Sequence, residues 1–368
     1  MDAKRTPLYD CHVEEGAKLV DFAGWQLPVQ FSSILVEHEA VRQRGGLFDV
    51  SHMGRFRVKG PGALASVLRA VSSDAASLEA GRCLYGLLLT EEAGIADDLF
   101  IYSPGGAPDE LQLVVNAGNA AKDLALLMER ATDAEWTDET DDTAMVALQG
   151  PAAQALLAPL TNLDLGAMRL HRFASGLVAG VEAMVSRTGY TGEDGFEIIT
   201  AAGDGATLWR ALRSAGAEPC GLGSRDVLRL EAAYPLWGHE IDEDTRPADV
   251  GLSFACRADV GGYIGGTAHQ AYLDARPRKA LVGLVMNSKR IARQGAEIRL
   301  AGDRVGAVTS GTYSPHRGTG IAMAHVANPE RKSLKDRRAE LIGAECVCVQ
   351  GPTEIPAIFV PLPFYRRS

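Results

Sequence analysis

The C-terminal part of the chain constrains the fold most, because from about residue 280 it consists of short apolar segments separated by glycine turns. The segments rich in valine and isoleucine include "ALVGLVM", "AEIRLAGDRVGAVTSG", "GIAMAHVA", "ECVCVQGP" and "IPAIFV". Several short strands at this spacing are typical of a small barrel. The sequence therefore predicts a small β-barrel over residues 280–368.

The residues before the barrel mix helical and strand patterns, which predicts an α+β fold class. A chain of 368 residues is too long for one ordinary core, so we expect two or three domains. Helices are predicted over 33–44, 61–71, 119–131 and 224–234. The third of these helices is predicted to bury one apolar side, formed by Ala121, Leu124, Leu127 and Met128. A hairpin is predicted over 82–103, and one strand is predicted to run from Leu47 into the turn at 60–62.

Composition and charge narrow the class of protein. The net charge of −10 argues against duplex nucleic acid as a partner, because phosphate binding needs a basic surface. The sequence has no run of about 18 apolar residues that would predict a membrane span. Its first residues, "MDAKRTPLYD", carry no secretion or import signal. The six cysteines form no CxxC pair and are expected to be reduced thiols. We therefore expect a cytoplasmic protein, or a mitochondrial-matrix protein in a eukaryote.

Two adjacent acids, Asp97 and Asp98, interrupt the apolar stretch "AGIADDLFIYS". If this stretch is a strand, the two side chains point to opposite faces, and one of them points into the protein. A buried carboxylate is costly unless something pairs with it. Tyr102 lies four residues after Asp98 and is expected on the same face. The pattern alone does not decide which acid faces inward.

A second acid, Glu197, lies in the motif "RTGYTGEDGFEI". Strand alternation places it opposite Phe196 and Ile198. If those two residues pack into a core, Glu197 faces either a cavity or solvent, and an exposed glutamate is the more common case.

The motif "GSRDVLRLEAAYPLWGHEIDED" predicts a helix with Ser224 as its N-cap and Asp226 in its first turn. Arg225 then lies where a cation is unfavourable, a local conflict typical of functional sites. It could form a two-pronged bond to a ligand carboxylate, or a salt bridge to a neighbouring acid. His239 and its acids lack metal-ligand spacing, so no metal site is predicted. His52, in "DVSHMG", could be a general base or a structural histidine.

Eight segments in order carry a resemblance that none of them carries alone. They are "RTPLYDCHVEEGAKLVDFAGWQLPVQF", "GGLFDVSHMG", "ADDLFIY", "VVNAGN", "ALQGP", "GYTGEDGFEI", "RDVLRLEAAYPLWGHEID" and "GAVTSGTYSP". From Arg5 to about Tyr365 the chain resembles the aminomethyltransferase (T protein) family of the glycine cleavage system. The resemblance implies a three-domain cloverleaf around a central folate site. Residues 1–275 would form the folate-binding region, as two interleaved α+β domains with the second at roughly 52–140, and 280–368 the barrel.

The resemblance also implies a reaction and its partners. An aminomethyl group is taken from the lipoyl arm of the acidic carrier H protein, ammonia is released, and tetrahydrofolate becomes 5,10-methylenetetrahydrofolate. Tetrahydrofolate would be the co-substrate and no metal would be needed. The lipoylated H protein would bind transiently to a monomeric enzyme, with neither nucleic acid nor a membrane as partner. Because an acidic carrier is an unfavourable partner for a chain of net charge −10, a local basic patch is expected to dock it.

Carried over by motif, the resemblance assigns the site residues. Asp98 looks like the key catalytic acid, which leaves Asp97 as a structural or solvent-side neighbour. Glu197 looks like the acid that grips the pterin. The remaining folate-binding assignments are Asn116 for pterin hydrogen bonding, Tyr85, Tyr102 and Tyr190 for the cavity walls, and Arg225 and Arg293 for the glutamate tail.

Two alternatives stay open at this point. A folate-dependent demethylase of a small methylated substrate would share the fold, and the stretch "FACRADVGGYIGGTAH" matches the aminomethyltransferase family only loosely. A non-catalytic folate-binding or iron–sulfur-assembly protein would also share it, but such relatives typically use a cysteine-centred motif, which this sequence lacks.

Overall fold

The computed structural model describes residues 3–105, 109–131 and 133–367. The chain forms two compact units. The first unit comprises Met1–Leu68, Asp74–Tyr85 and Leu99–Asp226, and the second comprises Arg69–Ser73, Gly86–Asp98 and Val227–Ser368. The domain limits expected from the sequence, at 1–275, 52–140 and 280–368, stay a prediction.

The strands are numbered in chain order. They are β1 (Lys4–Arg5), β2 (Lys18–Phe22), β3 (Trp25–Gln30), β4 (Gly46–Asp49), β5 (Gly54–Lys59), β6 (Cys83–Leu89), β7 (Ile95–Tyr102), β8 (Glu110–Val115), β9 (Glu135–Asp138), β10 (Thr143–Gln149), β11 (Phe173–Val178), β12 (Val181–Ser186), β13 (Gly195–Ala201), β14 (Glu218–Pro219), β15 (Lys279–Met286), β16 (Glu297–Leu300), β17 (Asp303–Ser314), β18 (Thr319–Ala327), β19 (Glu345–Gln350) and β20 (Thr353–Val360).

The helices are numbered in the same way. They are α1 (Tyr9–Glu14), α2 (Ile34–Gln43), α3 (Ala63–Ala70), α4 (Ala120–Arg130), α5 (Ala153–Leu157), α6 (Gly205–Ser214), α7 (Leu222–Glu231), α8 (Pro247–Val250), α9 (Gly266–Asp274) and α10 (Leu334–Leu341). Short 3₁₀ turns occur at Ala75–Ser77, Ala158–Leu160, Ala202–Asp204 and Ser253–Ala255. None of the described helices combines the length and the apolar character that crossing a membrane requires.

The first unit is built on a six-stranded sheet of order β11-β12-β13-β10-β4-β14. Alternate residues of β10 and β13 face its core, among them Val146, Leu148, Phe196 and Ile198, each fully buried. Trp209 of α6 packs into the same core. The other face of β13 is therefore free to carry polar side chains. A three-stranded sheet, of order β1-β3-β2, also belongs to this unit, and a five-stranded sheet has the order β6-β7-β8-β5-β9.

The second unit contains a closed barrel of order β15-β18-β17-β16-β19-β20. Every second residue of β15 points into the barrel core, namely Ala280, Val282, Leu284 and Met286. The predicted C-terminal barrel and the predicted α+β class are both confirmed. The period-two pattern and the glycine turns were sufficient to predict them, because a small barrel is filled from alternate positions.

Two predictions about individual elements are wrong. The strand expected from Leu47 onward is broken at residues 50–53, because Asp49 accepts the Ser51 amide at 2.8 Å and the Met53 amide bonds to the Val50 carbonyl at 3.1 Å. In α4, Ala121 and Met128 are exposed, and the buried residues are Asp123, Leu127 and Arg130. The buried side of this helix thus includes two charged residues, Asp123 and Arg130, which a purely apolar criterion overlooks.

Candidate functional site

The adjacent acids lie on β7 and differ in exposure. Alternation places Asp97 with the buried Ile95, Leu99 and Ile101, and its own exposed fraction is 0%. Asp98 lies on the other face of the strand and is partly exposed. Of the two roles expected for Asp97, structural or solvent-side, its burial excludes the solvent-side one. Asp98 is the acid that a ligand could reach.

The start of β7 is held by the segment that contains the motif "WGHEIDED". The Ile95 amide donates to the carbonyl oxygens of Asp242 at 3.0 Å and Thr245 at 3.1 Å. The Trp237 indole Nε1 donates to the Ile95 carbonyl at 3.2 Å. These bonds fix the backbone three residues before Asp98. The motif around His239 thus has a structural contact to the strand of the acid pair.

Glu197 lies on β13, on the face opposite Phe196 and Ile198. Those two residues are in the core, yet Glu197 is itself only 7% exposed. Its Oε2 accepts a 2.5 Å hydrogen bond from the hydroxyl of Thr188. The solvent-facing alternative is therefore wrong, and the carboxylate lies in a polar, largely enclosed setting.

Tyr102 reaches the same group of hydroxyls from β7. Burial raises the pKa of Tyr102 well above its usual range, and the nearby hydroxyls of Ser186 and Thr188 act to lower it. The ring of Phe173 meets it edge-on, with centroids 5.3 Å apart. Tyr102 and Glu197, predicted as site residues from distant motifs, are thus brought together through shared hydroxyl partners.

Arg225 and Tyr190 form the other contact pair among the predicted residues. The guanidinium lies over the Tyr190 ring, 5.0 Å from its centroid, and 5.9 Å from the centroid of Phe48. Burial lowers the pKa of Arg225, whereas the negative charge of Glu197 acts to raise it. Its Nη1 is buried and has no hydrogen-bond partner in the described part of the chain. A cation with an unused donor beside a carboxylate can take an oxygen of a ligand.

The helix that carries Arg225 begins earlier than predicted. Because α7 starts at Leu222, Ser224 lies within its first turn and is not the N-cap. The Ser224 hydroxyl instead donates to the Gly221 carbonyl at 2.9 Å. Arg225 still lies in the N-terminal turn, where the helix dipole opposes its charge.

The remaining predicted residues have fewer described links to one another. Tyr85 of β6 meets Phe100 edge-on at 5.7 Å, and both are partly exposed. Asn116 follows β8, and its carbonyl accepts the Asn119 amide at 3.1 Å. Arg293 is exposed between β15 and β16, and its amide donates to Gln350 at 3.0 Å. Asp98 and Arg293 belong to the second unit, and the other predicted site residues belong to the first.

His52 lies in the break after β4 and is a neutral imidazole at physiological pH. Burial lowers its pKa to about 4. The negative charge of Asp49 acts to raise the pKa, and the positive charges of Arg225 and Arg55 act to lower it. Its Nδ1 is buried, with no hydrogen-bond partner among residues 3–105, 109–131 and 133–367. The fully buried Arg55 supports this turn by donating to the carbonyl oxygens of Ser51, Met53 and Thr140.

Three polar residues next to Glu197 and Tyr190 were not singled out from the sequence. Ser186 and Thr188 lie within or beside the quoted motif, and Gln149 belongs to "ALQGP". Their spacing gives a weak signal, since Ser186 ends β12 and Thr188 follows two residues later. Their partners come from other strands, which a single sequence does not show. The described residues contain no group of three or more His, Cys, Asp or Glu side chains suited to a metal ion.

Comparisons with known proteins agree along the length of the chain. A family model described as the GCVT N-terminal domain matches residues 8–260, and one described as the glycine cleavage T-protein C-terminal barrel domain matches 279–366. An aminomethyltransferase from Geobacillus thermodenitrificans is 46% identical over 99% of both chains. One from Thermotoga maritima is 43% identical over 99% of this chain and 98% of its own. The crystal structure of glycine cleavage system aminomethyltransferase T from Bartonella henselae is 34% identical, with a TM-score of 0.89 over 98% of both chains.

Proposed function

This chain belongs to the glycine cleavage T-protein family and is an aminomethyltransferase, and we propose how its residues carry the reaction. The aminomethyl group arrives on the lipoyl arm of the carrier H protein. Its one-carbon unit passes to tetrahydrofolate, which gives 5,10-methylenetetrahydrofolate and releases ammonia. The observation that carries this proposal is the enclosed, hydroxyl-bonded carboxylate of Glu197 beside the guanidinium of Arg225.

Glu197 binds the pterin ring. A pterin edge presents several N–H donors, and an ionised carboxylate is an acceptor with two oxygens. The flat ring also needs apolar walls with polar edges, which tyrosine supplies. Tyr102 and Tyr190 contact the residues around Glu197, and Tyr85 and Asn116 complete the proposed folate contacts. Their positions are compatible with these roles, and mutagenesis would test each one.

Asp98 is the proposed catalytic acid. Its carboxylate would hydrogen-bond the folate and help a ring-linked nitrogen to act as the nucleophile. Transfer passes through an iminium-like carbon, whose positive charge a nearby carboxylate stabilises. The partial exposure of Asp98 supports this role, because a carboxylate that acts on substrate must be reachable.

Arg225 and Arg293 are proposed to bind the anionic tail of the folate. A guanidinium matches a carboxylate with two parallel N–H donors. The unpartnered Nη1 of Arg225 supports a contact with a ligand oxygen. Arg293 is supported by its exposure and charge alone. Tetrahydrofolate is the proposed co-substrate, and the reaction as proposed uses no metal.

A basic patch on the barrel fits the acidic carrier. The barrel-end basic patch comprises Lys289, Arg290, Arg293, Arg317, Arg366 and Arg367, all exposed. No aspartate or glutamate occurs in the segments 287–296, 314–319 and 361–367 that carry it. Two bonds join these segments: Thr319 Oγ1 donates to the Ser288 carbonyl at 2.7 Å, and Arg317 Nε donates to the Phe364 carbonyl at 3.2 Å. In a chain of net charge −10, this local concentration of positive charge is the proposed docking surface for the H protein.

The demethylase and the non-catalytic binding protein are not proposed further. The relatives named aminomethyltransferase match essentially the whole chain, including the stretch 254–269, which resembles the family motifs only loosely. A cytoplasmic location and a monomeric state stay proposals.

One assay tests the proposed function. The protein is mixed with tetrahydrofolate and with lipoylated carrier that bears an aminomethyl group, and ammonia and methylenetetrahydrofolate are measured together. The expected result is equal amounts of both products. Folate binding without ammonia release would contradict the proposed reaction.

A further inference from the structure

We propose that Thr188 is a positioning residue that fixes the orientation of the Glu197 carboxylate before the pterin binds. This inference rests on the proposed function, because it assumes that Glu197 binds that ring. It adds a residue whose hydroxyl acts through Glu197 and not on the substrate.

The hydroxyl of Thr188 must donate its proton to Glu197. An ionised carboxylate accepts hydrogen bonds and donates none, so the 2.5 Å contact to Oε2 uses the one proton of Thr188. The oxygen of Thr188 is then left to accept from the Ser186 hydroxyl, whose Oγ lies 2.9 Å away. Ser186 thus donates to Thr188 and Thr188 donates to the carboxylate, and such chains strengthen each member.

The backbone of Glu197 is tied to the same group. Ser186 and Glu197 are directly opposed in the register of β12 and β13, so strand pairing holds the main chain of Glu197 beside Ser186. Side chain and main chain of Glu197 are therefore both held from β12 and the residues that follow it.

The turn that carries Thr188 is clamped by a buried amide. Gln149 is fully buried, and its Nε2 donates to the Thr188 carbonyl at 3.0 Å. Its Oε1 accepts from the Thr191 hydroxyl at 2.9 Å. Arg42 adds a bond to the Thr191 carbonyl at 2.8 Å. Both ends of the segment 188–191, which includes Tyr190, are thus fixed.

Two glycines make room for this clamp. A Cβ on Gly189 would lie 1.9 Å from Gln149 Oε1, and a Cβ on Gly195 would lie 2.6 Å from its Nε2. Any side chain at either position would displace the amide. The glycines of the motif "RTGYTGEDGFE" are therefore explained in part by close approach to Gln149.

The result is a carboxylate with one oxygen engaged by protein and one left for ligand. Among the described residues, Oε1 of Glu197 receives no hydrogen bond, whereas Oε2 is fixed by Thr188. Fixing one oxygen sets the plane of the carboxylate before a ligand arrives. A preset acceptor loses less conformational freedom on binding.

Matched threonine variants test the inference. Thr188→Val keeps the shape and removes the hydroxyl, Thr188→Ser restores the hydroxyl, and Thr200→Val removes a buried hydroxyl on β13 that donates to the Glu182 carbonyl at 2.7 Å. Affinities are measured for tetrahydrofolate, for tetrahydropterin and for p-aminobenzoylglutamate, together with KM and kcat. Thr188→Val should weaken both pterin-containing ligands about tenfold and raise KM with a smaller change in kcat. The affinity of Thr188→Val for p-aminobenzoylglutamate should not change. Thr188→Ser should recover most of the lost pterin affinity, and Thr200→Val should lose no pterin affinity.

The outcomes separate the two hypotheses. If the unmodified protein binds tetrahydropterin and Thr188→Val binds it equally well, the positioning role is wrong and the proposed function stands. If the unmodified protein does not bind tetrahydropterin and yields no ammonia, the proposed function itself is wrong. If Thr188→Val does not fold, Gln149→Met decides, because it removes the clamp and leaves Thr188 in place. The positioning role then requires the same selective loss of pterin affinity.

Discussion

At the scale of single residues, two chemically identical neighbours have different environments. Asp97 is fully buried on the same face of β7 as Ile95, Leu99 and Ile101. Asp98, one residue later, is partly exposed. Alternation puts the two acids on opposite faces of the strand, and their burial shows that Asp97 is the enclosed acid and Asp98 the accessible one.

Asp98→Asn should lower kcat about a hundredfold or more, and the Kd for tetrahydrofolate should change much less. The substitution keeps the shape and removes the charge that stabilises the iminium-like carbon. Asp97→Asn should lower the melting temperature, because a buried carboxylate is stable only with its partners, and should leave kcat within a few fold. Steady-state kinetics, folate titration and thermal unfolding of both variants check this. Equal losses of kcat would show that the catalytic acid is assigned to the wrong residue.

At the scale of elements, the periodicity of apolar residues predicted the helices and strands where their side chains pack into a core. The helix expected over 33–44 is found at Ile34–Gln43, and the barrel strands follow their alternating pattern. The errors arose where side chains hydrogen-bond to the backbone, as at Asp49 and Ser51, or where a helix buries polar groups, as at Asp123 and Arg130. Such contacts are tertiary, so a pattern of apolar residues does not contain them.

The candidate site was predictable to a similar extent. The motifs indicated the acids and Arg225, but core packing of Phe196 and Ile198 left Glu197 facing either a cavity or solvent, and only the structure shows that it is buried. Gln149 and Thr188 were not predicted, because their importance depends on contacts between β10, β12 and the turn at 188–191.

The turn between β6 and β7 gives a prediction at this scale. A Cβ on Gly94 would lie 1.8 Å from the Glu243 carbonyl oxygen, which is backbone and cannot rotate away. Gly94→Ala should therefore lower the free energy of unfolding by about 2–3 kcal/mol, as overpacking does. Gly261→Ala is the matched control, because a Cβ there meets nothing within 4 Å. Urea unfolding of both variants measures the difference, and similar midpoints would contradict the close packing at Gly94.

At the scale of the whole molecule, charge is distributed unevenly. The chain carries −10 overall, yet six basic residues share the barrel-end basic patch in segments without an acid. Such local patches steer an oppositely charged partner even when the net charge opposes it.

Reversing the charge of two residues in this patch should weaken binding of the carrier H protein. Lys289→Glu combined with Arg290→Glu should raise KM for the H protein about tenfold and leave the affinity for free tetrahydrofolate unchanged. Added salt should raise KM for the unmodified protein more than for the variant. Lys335→Glu, on the exposed part of α10, is the control for charge alone. If it raises KM as much as the double variant does, the patch is not the docking surface.

Stability should also depend on pH through His52. Its pKa is lowered from 6.5 to about 4 in the folded protein, so its contribution is complete above 6.5 and is lost as the pH falls toward 4. The difference corresponds to about 3 kcal/mol. Asp49 does not mask this effect: burial acts to raise its pKa, but hydrogen bonds from His12, Ser51 and Thr6 lower it to about 2.

Urea unfolding between pH 6.5 and 4.5 checks the His52 effect. The free energy of unfolding should fall with pH in the unmodified protein, and His52→Gln should flatten the slope. His316→Gln, at an exposed histidine, should leave the slope as it is. Parallel slopes for the unmodified protein and His52→Gln would show that His52 is not the responsible group.

The closure of the barrel has a consequence for synthesis. Its first strand, β15, pairs with its last, β20, through Gly283 and Val360. Until β20 has been synthesised and has folded, β15 and β19 each present an unpaired edge. Exposed edges are templates for pairing with other chains. A chain truncated before β20 would therefore have an open sheet that is prone to aggregate through its unpaired edges. Addition of β20 closes the barrel and removes both edges.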